Sequence, residues 1–305
     1  MGKSYNTLKS YKSGYQKWKD FSILKKLTSF PANGTEFHLF LISLVEKSLS
    51  WATVKNVICS VNFYHSLFRQ PKPCKLDSDD LIQAFCAKHS IKKSRVKRPL
   101  LRDEIVKIAN WASNFLDDLK IMRNVSMIML GWLGFLRYDD LSQVKWSDFV
   151  FKDNIVTLLI RQAKTDRQGS GQYVYIPVNA DLLHFLKRYI SLSGLDKVKK
   201  TDGKCYFFST LRWCSKSGSV FPLFTKKMSY DAVRRSILEV CNSAGVNTCE
   251  IGTHSLRIGG CTEASKKGIP NYVIEKHGRW KSGSSRALYQ RIDMTDCLKL
   301  GNSLL

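Results

Sequence analysis

Three short segments of this chain place residues that can handle a phosphate group at close spacing. Arg137 follows the apolar run of residues 131–136 and is itself followed by Tyr-Asp-Asp. His254 and Arg257 lie three residues apart, so on a helix both side chains would lie on the same face. A guanidinium binds two phosphate oxygens at once, and an imidazole can transfer a proton. The pair could therefore act on one phosphate.

The third segment contains Trp280 and Tyr289, nine residues apart. A tyrosine oxygen can form a covalent bond to a substrate as a nucleophile. Each segment alone also has a structural explanation, because Arg137 could cap a helix end, where cations are favoured, and Tyr289 could belong to a surface helix. It is their combination, in this order, that indicates phosphoryl chemistry.

The composition agrees with a polyanionic partner. The chain has 305 residues, enough for two domains that each bury a core. Its 49 Lys and Arg residues outnumber 25 Asp and Glu residues, giving a formal net charge of +24 and a pI near 9.7. Nucleic acid is the first candidate partner. With 44% hydrophobic residues, the chain is expected to fold rather than to form a disordered basic tail.

Other features argue against a membrane or secreted protein. The longest uncharged apolar stretch, residues 124–136, is shorter than the roughly 20 residues that span a bilayer. The N-terminus lacks the apolar segment of a secretory signal. Nine cysteines without a CxxC pair predict neither a disulfide framework nor a zinc site, and we expect no cofactor and no metal. We expect a nuclear location in a eukaryote and a cytoplasmic one otherwise.

The first 87 residues predict an all-helical domain, because apolar side chains recur there at helical spacing. Ser50 is the expected N-cap of its third helix, with Thr53 nearby. The three stripes are Tyr11, Tyr15, Trp18 and Phe21; Phe37, Phe40, Leu41, Leu44 and Val45; and Val57, Val61, Tyr64, His65 and Phe68.

Residues 88–98 are interpreted as a linker between two domains. The segment has six basic residues and no acidic one, namely Lys88, Lys92, Lys93, Arg95, Lys97 and Arg98. We expect these side chains to bind DNA phosphates as an extended strap. A solvated charge run or a nuclear-localisation signal remains the alternative.

Residues 99–305 predict a second domain that is mostly helical with a small β-hairpin, so the fold class is mainly α. Helices are expected at residues 102–115, 125–136, 181–190, 229–244 and 255–267. Residues 155–178 contain two β-prone runs around a polar turn, which indicates a hairpin. Lys164 begins this turn, and two glycines within it would allow movement.

In this order, the residues resemble the signature of the tyrosine recombinase (phage integrase) family. That signature is an arginine, a hairpin lysine, His-x-x-Arg, a His or Trp, and a tyrosine. The likeness covers about residues 99–291, and Gly-Arg-Trp-Lys-Ser from Gly278 onward is similar to recombinases of eukaryotic mobile elements of the Crypton and DIRS types. The resemblance implies a helical core-binding domain followed by an α+β catalytic domain.

The resemblance also implies a mechanism. Tyr289 would attack a DNA phosphodiester and form a 3′-phosphotyrosine, which stores the bond energy for religation without ATP. Arg137 and Arg257 would neutralise the nonbridging oxygens without a metal. Lys164 would protonate the leaving 5′ oxygen.

Three further positions match the family. His254 would assist the tyrosine, Trp280 would take the His/Trp position, and Asp140 would orient the first arginine. Many members have glycine directly before the His or Trp, whereas this chain has Arg279. The departure leaves His277 as an alternative occupant of that position.

Site-specific recombination or integration is the function that the resemblance implies, with a homotetramer holding two duplexes in a synaptic complex. The residues after Tyr289, with Leu298 and Leu300, could pack on a neighbouring subunit or fray. The alternatives are a type IB topoisomerase, which shares the chemistry, and a domesticated DNA-binding protein without activity. The intact set of catalytic residue types speaks against the inactive protein.

Overall fold

The computed structural model describes residues 3–74, 96–161, 171–177 and 180–291. The chain divides into two compact units, Met1–Arg95 and Val96–Leu305. Among the described residues, no helix combines the length and the apolar character needed to cross a membrane.

The described part of the first unit contains helices α1 (Tyr5–Leu24), α2 (Gly34–Glu46) and α3 (Trp51–Leu67). Each helix begins after an N-cap residue whose side chain accepts a hydrogen bond from a backbone N–H group of the first turn. These residues are Ser4, Asn33 and Ser50. The predicted helical pattern and the Ser50 cap, which accepts from the Thr53 N–H, are confirmed.

Trp18 is the centre of this unit's core. Its side chain is fully buried, and its ring lies edge-on to Phe37 with centroids 5.3 Å apart. Its indole N–H donates to the Ser29 carbonyl at 2.8 Å, so burial of the ring leaves no polar group unpaired. Most residues of the predicted apolar stripes therefore lie in or against one hydrophobic core surrounded by α1, α2 and α3, whereas Phe68, the C-cap of α3, is 59% exposed.

Helices predominate in the second unit. They are α4 (Arg102–Ala112), α5 (Leu119–Leu133), α6 (Tyr138–Gln143), α7 (Ala180–Ser193), α8 (Tyr230–Ser243), α9 (Thr253–Lys266), α10 (Asn271–Gly278) and α11 (Gly283–Ala287). Helix α5 is the central one, because α4, α7, α8 and α9 all pack against it. It starts six residues before the predicted position, where the Asp118 carboxylate accepts the Ile121 N–H at 2.8 Å. It ends at Leu133, four residues before Arg137, with Gly134 as its C-cap.

An antiparallel sheet covers part of this helical core. Its strands are β1 (Phe149–Lys152), β2 (Ile155–Ile160) and β3 (Gln172–Pro177), in that order, and Leu158 lies opposite both Phe149 and Val174. The predicted hairpin strands are thus confirmed, whereas β1 was not predicted. The turn with Lys164 lies outside the described residues.

Strands β4 (Ser209–Cys214) and β5 (Ser219–Lys227) form a separate two-stranded ribbon, which was also not predicted. Two hydrogen bonds hold its base. The Arg123 guanidinium donates to the Ser209 carbonyl, and the Tyr138 hydroxyl donates to the Met228 carbonyl, each at 3.0 Å. Tyr138 follows Arg137 directly, so the ribbon supports the segment that carries the first candidate arginine.

Candidate active site

The turn after α5 carries Arg137. Phe135 has a left-handed backbone (φ 47°), which reverses the chain and sets Arg137 at the start of α6. The Arg137 backbone N–H donates to the Asp140 carboxylate at 3.0 Å. Asp140 therefore holds the arginine through its main chain, while the carboxylate pairs with the guanidinium of Arg279 at 2.9 Å. Asp140 was predicted to orient the first arginine; its carboxylate bonds to the Arg137 main chain, and the side chain with which it pairs is that of Arg279.

Helix α9 carries the second arginine. Arg257 is fully buried and donates to the carbonyls of Phe135 and Gly278, at the ends of α5 and α10. Two glycines let α9 come this close to its neighbours. A Cβ on Gly259 would lie 1.9 Å from the Leu100 carbonyl oxygen, and one on Gly260 would lie 2.2 Å from that of Trp132. The Gly-Gly pair after Arg257 is thus required by packing.

Trp280 covers the guanidinium of Arg257. The guanidinium carbon lies 4.0 Å from the indole centroid, a cation–π contact. Gly278 makes room for this ring, because a Cβ there would lie 1.9 Å from the indole. His277, the alternative occupant of the His/Trp position, instead bonds to the Leu133 carbonyl at 2.7 Å and lies edge-on to Phe135. The geometry therefore favours Trp280.

Tyr289 follows α11 and lies against the same cluster. Its half-buried ring is 5.3 Å from the Trp280 ring, 6.1 Å from the His254 ring and 5.0 Å from the Arg257 guanidinium carbon. The Thr262 hydroxyl, on α9, donates to the Tyr289 carbonyl at 3.4 Å. The tyrosine is thereby placed beside the residues with which the sequence grouped it.

Positive charge accumulates here without full compensation. Burial lowers the pKa of Arg257, and the like charges of Arg137 and Arg279 lower it further. A guanidinium nonetheless stays protonated at neutral pH, so its charge is held at a free-energy cost that a bound anion would relieve. Burial likewise lowers the pKa of Arg279, which the Asp140 carboxylate opposes.

Several buried donors in this cluster are unpaired. Within the described ranges, Arg137 Nη1, Arg257 Nε, Arg279 Nε and Trp280 Nε1 form no hydrogen bond. Buried donors in folded proteins are almost always bonded, and exceptions require an explanation. A phosphate group would supply hydrogen-bond acceptors and negative charge to this cluster.

The basic linker is described only from Val96 onward, so Lys88, Lys92, Lys93 and Arg95, like Lys164, lie outside the described residues. Arg98 is held by the second unit. It pairs with Glu104 at 2.9 Å and donates to the carbonyls of Asn247 and Cys249. These bonds give the Arg98 side chain a structural role, and binding of phosphate by the residues of the linker stays a prediction.

Arg279 is the residue that the sequence interpretation missed. It appeared only as a departure from the family pattern, yet its side chain is 2% exposed and forms the buried ion pair with Asp140. The signal that could have found it is the coincidence of an extra arginine beside Trp280 and an acidic residue three positions after Arg137.

Comparisons with known proteins agree with this geometry. The profile of the phage integrase family matches residues 98–296, more than half of the chain. The chain therefore belongs to the phage integrase family, the tyrosine recombinases, which are enzymes that cut and rejoin DNA.

Individual relatives are distant but cover nearly the whole chain. An integrase/recombinase XerD homolog of Selenomonas ruminantium is 21% identical over 297 residues, which is 92% of this chain and 80% of that protein. The XerH site-specific recombinase, bound to its palindromic difH substrate after cleavage, has a TM-score of 0.66 at 15% identity, over 96% of this chain and 78% of XerH. A lambda integrase tetramer bound to a Holliday junction has a TM-score of 0.54 at 19% identity, over 95% and 73% of the two chains. At these identities the structural likeness shows the fold.

Proposed function

We propose that this enzyme is a site-specific recombinase in which Tyr289 cleaves DNA and remains attached to its 3′ end. The carrying observation is the contact of Tyr289 with Trp280 and with the buried guanidinium of Arg257. The phenolic oxygen attacks phosphorus, the bond from phosphorus to the 5′ oxygen breaks, and a 3′-phosphotyrosine forms. Attack by a 5′ hydroxyl on that intermediate reverses the step and seals the strand.

Each remaining residue has a role in this displacement. Arg137 and Arg257 bind the nonbridging oxygens, where negative charge grows in the transition state. His254 assists removal of the proton from Tyr289, and Lys164 delivers a proton to the departing 5′ oxygen. Trp280 keeps Arg257 in place by stacking on it.

The enzyme acts on double-stranded DNA in this proposal, as a homotetramer that pairs two sites. The structure of a lambda integrase tetramer bound to a Holliday junction supports this assembly. Residues 1–87 would form the core-binding domain, residues 88–98 the strap on DNA, and residues 99–305 the catalytic domain. We further propose that the chain belongs to a mobile element and acts in a nucleus, on the strength of the Gly-Arg-Trp-Lys-Ser segment.

A test uses supercoiled plasmid stopped with detergent, so that protein attached to DNA can be counted. The wild type should give protein on 3′ ends, and Tyr289→Phe should give none while retaining its affinity for DNA. Tyr272→Phe is the matched control, because Tyr272 is 72% exposed on α10 and lies close in sequence to the same segment. The control should form adduct at the wild-type level, and excess EDTA should leave the reaction intact because the arginines provide the positive charge.

Each alternative has its own outcome. Adduct formed by Tyr289→Phe but lost in Tyr272→Phe would move the nucleophile to Tyr272. Relaxation of the plasmid without exchange between two sites would favour a type IB topoisomerase. Binding without any adduct would favour an inactive DNA-binding protein.

A further inference from the structure

Arg279 is buried inside the candidate active site and contacts several parts of it. Its guanidinium pairs with Asp140 at 2.9 Å and donates to the carbonyls of Gly134 and Phe135 at 3.3 and 3.2 Å. It also donates to the His277 carbonyl at 3.1 Å. Both members of the ion pair have side chains that are only 2% exposed, so water does little to screen the pair.

These contacts connect the segments that bear the catalytic groups. The Asp140 oxygen that receives Arg279 also accepts the backbone N–H of Arg137. The Phe135 carbonyl that receives Arg279 also accepts from Arg257. Trp280 comes next in the chain after Arg279. One guanidinium thus joins the turn with Arg137, the helix with Arg257 and the segment that leads to Tyr289.

The charges of the cluster explain why an arginine is needed. The charges of Arg137 and Arg279 lower the pKa of Arg257, and among the described residues Asp140 is the carboxylate that opposes this effect and pairs with Arg279. Without Arg279, that carboxylate would lose its ion-pair partner and would attract the guanidinium of Arg137, which should bind phosphate. A buried carboxylate without its partner is strongly unfavourable, so movement of the Arg137 guanidinium toward Asp140 would lower the free energy.

We infer that Arg279 is a positioning residue for DNA cleavage, which neutralises Asp140 and thereby leaves the charges of Arg137 and Arg257 available to the scissile phosphate. Arg279 acts through its neighbours and not by touching DNA. This inference rests on the proposed function, since it assumes that the cluster binds the phosphate that Tyr289 attacks.

The experiment measures single-turnover cleavage of two substrates by matched variants. One substrate has an ordinary phosphodiester at the scissile position, and the other has a methylphosphonate, which carries no charge there. The variants are Arg279→Met, the double variant Arg279→Met/Asp140→Asn, and Arg123→Met as control. Arg123 is a buried arginine on α5 whose guanidinium bonds only to neutral groups, Asn124 and the Ser209 carbonyl, among the described residues.

Arg279→Met should slow cleavage of the phosphodiester by about a hundredfold, the scale of losing one charge-stabilising group at a reacting centre. On the methylphosphonate the loss should shrink to roughly tenfold or less, because the defect lies in the attraction of a negative charge. The double variant should cleave the phosphodiester at least about tenfold faster than Arg279→Met, because asparagine removes the uncompensated charge but still accepts the Arg137 N–H. Arg123→Met should show the same ratio to wild type on both substrates.

Two results would overturn the inference: equal losses on both substrates, or a double variant as slow as Arg279→Met. Either would mean that Arg279 serves only to hold the fold. If Arg279→Met does not fold, as judged by its thermal transition, the double variant decides alone, and cleavage far below the wild type would contradict the inference. Failure of the proposed function is recognised separately, since the wild type itself would then form no adduct through Tyr289.

Discussion

Buried arginine side chains lie at both ends of helix α5, and their surroundings differ. At the N-terminal end, Arg123 donates to the Asn124 side chain and to the Ser209 carbonyl, at 2.8 to 3.0 Å. At the C-terminal end, the Phe135 carbonyl receives both Arg257 and Arg279, and like charges lie close together. Burial lowers the pKa of Arg123 and of Arg257, so burial by itself does not distinguish the two ends.

The two ends differ in how far neighbouring groups compensate the buried positive charge. Tyr189 and Glu239 raise the pKa of Arg123, whereas Arg137 and Arg279 lower the pKa of Arg257 by more than Tyr289 and Asp140 raise it. In the described part of the chain, Arg257 Nε also lacks an acceptor. Arg123 is thus fully bonded by its own fold, whereas Arg257 keeps an unbonded donor and an incompletely compensated charge, as the proposed phosphate site requires.

The largest expected effect is that of replacing Lys164, and a modified substrate distinguishes its proposed role as proton donor from the role of the arginines. If Lys164 protonates the departing 5′ oxygen, Lys164→Ala should cleave ordinary DNA about 10²- to 10⁴-fold more slowly. Replacing the bridging 5′ oxygen with sulfur gives a leaving group that needs no proton, so cleavage should return close to the wild-type rate. Arg257→Ala should stay slow on that substrate, because the nonbridging charge still lacks its partner. Equal rescue of both variants, or of neither, would assign Lys164 to DNA positioning.

The second prediction tests the two ends of α5 directly. Arg257→Ala should reduce the single-turnover cleavage rate by about 10²- to 10³-fold, the usual effect of removing a group that stabilises transition-state charge. Arg123→Ala should lower the melting temperature, because it leaves the Ser209 carbonyl without its partner, but should change the rate of the folded enzyme little. A strong rate defect in folded Arg123→Ala would show that Arg123 also contributes to cleavage and is not only structural.

The third prediction concerns the stacking of Trp280 on Arg257. Gly278→Ala would place a Cβ in the indole ring and push the ring off the guanidinium. We expect about a tenfold lower cleavage rate, since a partly desolvated cation–π contact contributes about 1 to 2 kcal/mol. Gly283→Ala is the control, because its Cβ would meet only the end of the Glu275 side chain, at 3.3 Å. Equal rates for the two variants would show that the stacking does not matter for cleavage.

The sequence predicted the members of the site better than their partners. Arg137, His254, Arg257, Trp280 and Tyr289 could be grouped because chemistry restricts the residue types and the family restricts their order. Contacts between Arg279 and the Phe135 carbonyl could not be found in this way, because nothing local links residues so far apart in the chain.

The fold shows the same limit. Helical periodicity identified α1 to α3 because their core faces are large and regular, as with Trp18 and Phe37. It missed the β4–β5 ribbon, in which Trp213 is 60% exposed and apolar side chains do not mark one buried face. It also placed the end of α5 three residues too late, since the left-handed turn at Phe135 interrupts an apolar run that continues to Leu136.

The smallest expected effect concerns the basic residues of the linker, of which some are predicted to bind DNA and one, Arg98, is bonded within the second unit. Replacing Lys92, Lys93, Arg95 and Lys97 with neutral residues should weaken binding to any DNA sequence, and each lost phosphate contact should reduce the slope of log affinity against log salt by about 0.9. Arg98→Ala is the matched comparison. Because Arg98 already pairs with Glu104 and bonds to carbonyls near Asn247, its loss should lower the melting temperature and leave the salt slope unchanged.

Two measurements distinguish these outcomes. One is the affinity for DNA, from fluorescence anisotropy over a range of salt concentrations, and the other is the melting temperature of each variant. An unchanged slope in the multiple variant, together with loss of nuclear import, would favour a localisation signal over a strap on DNA. A reduced slope in Arg98→Ala would mean that this side chain leaves its intramolecular partners when DNA binds, since a group that keeps the same ion pair in both states releases no counterion from DNA.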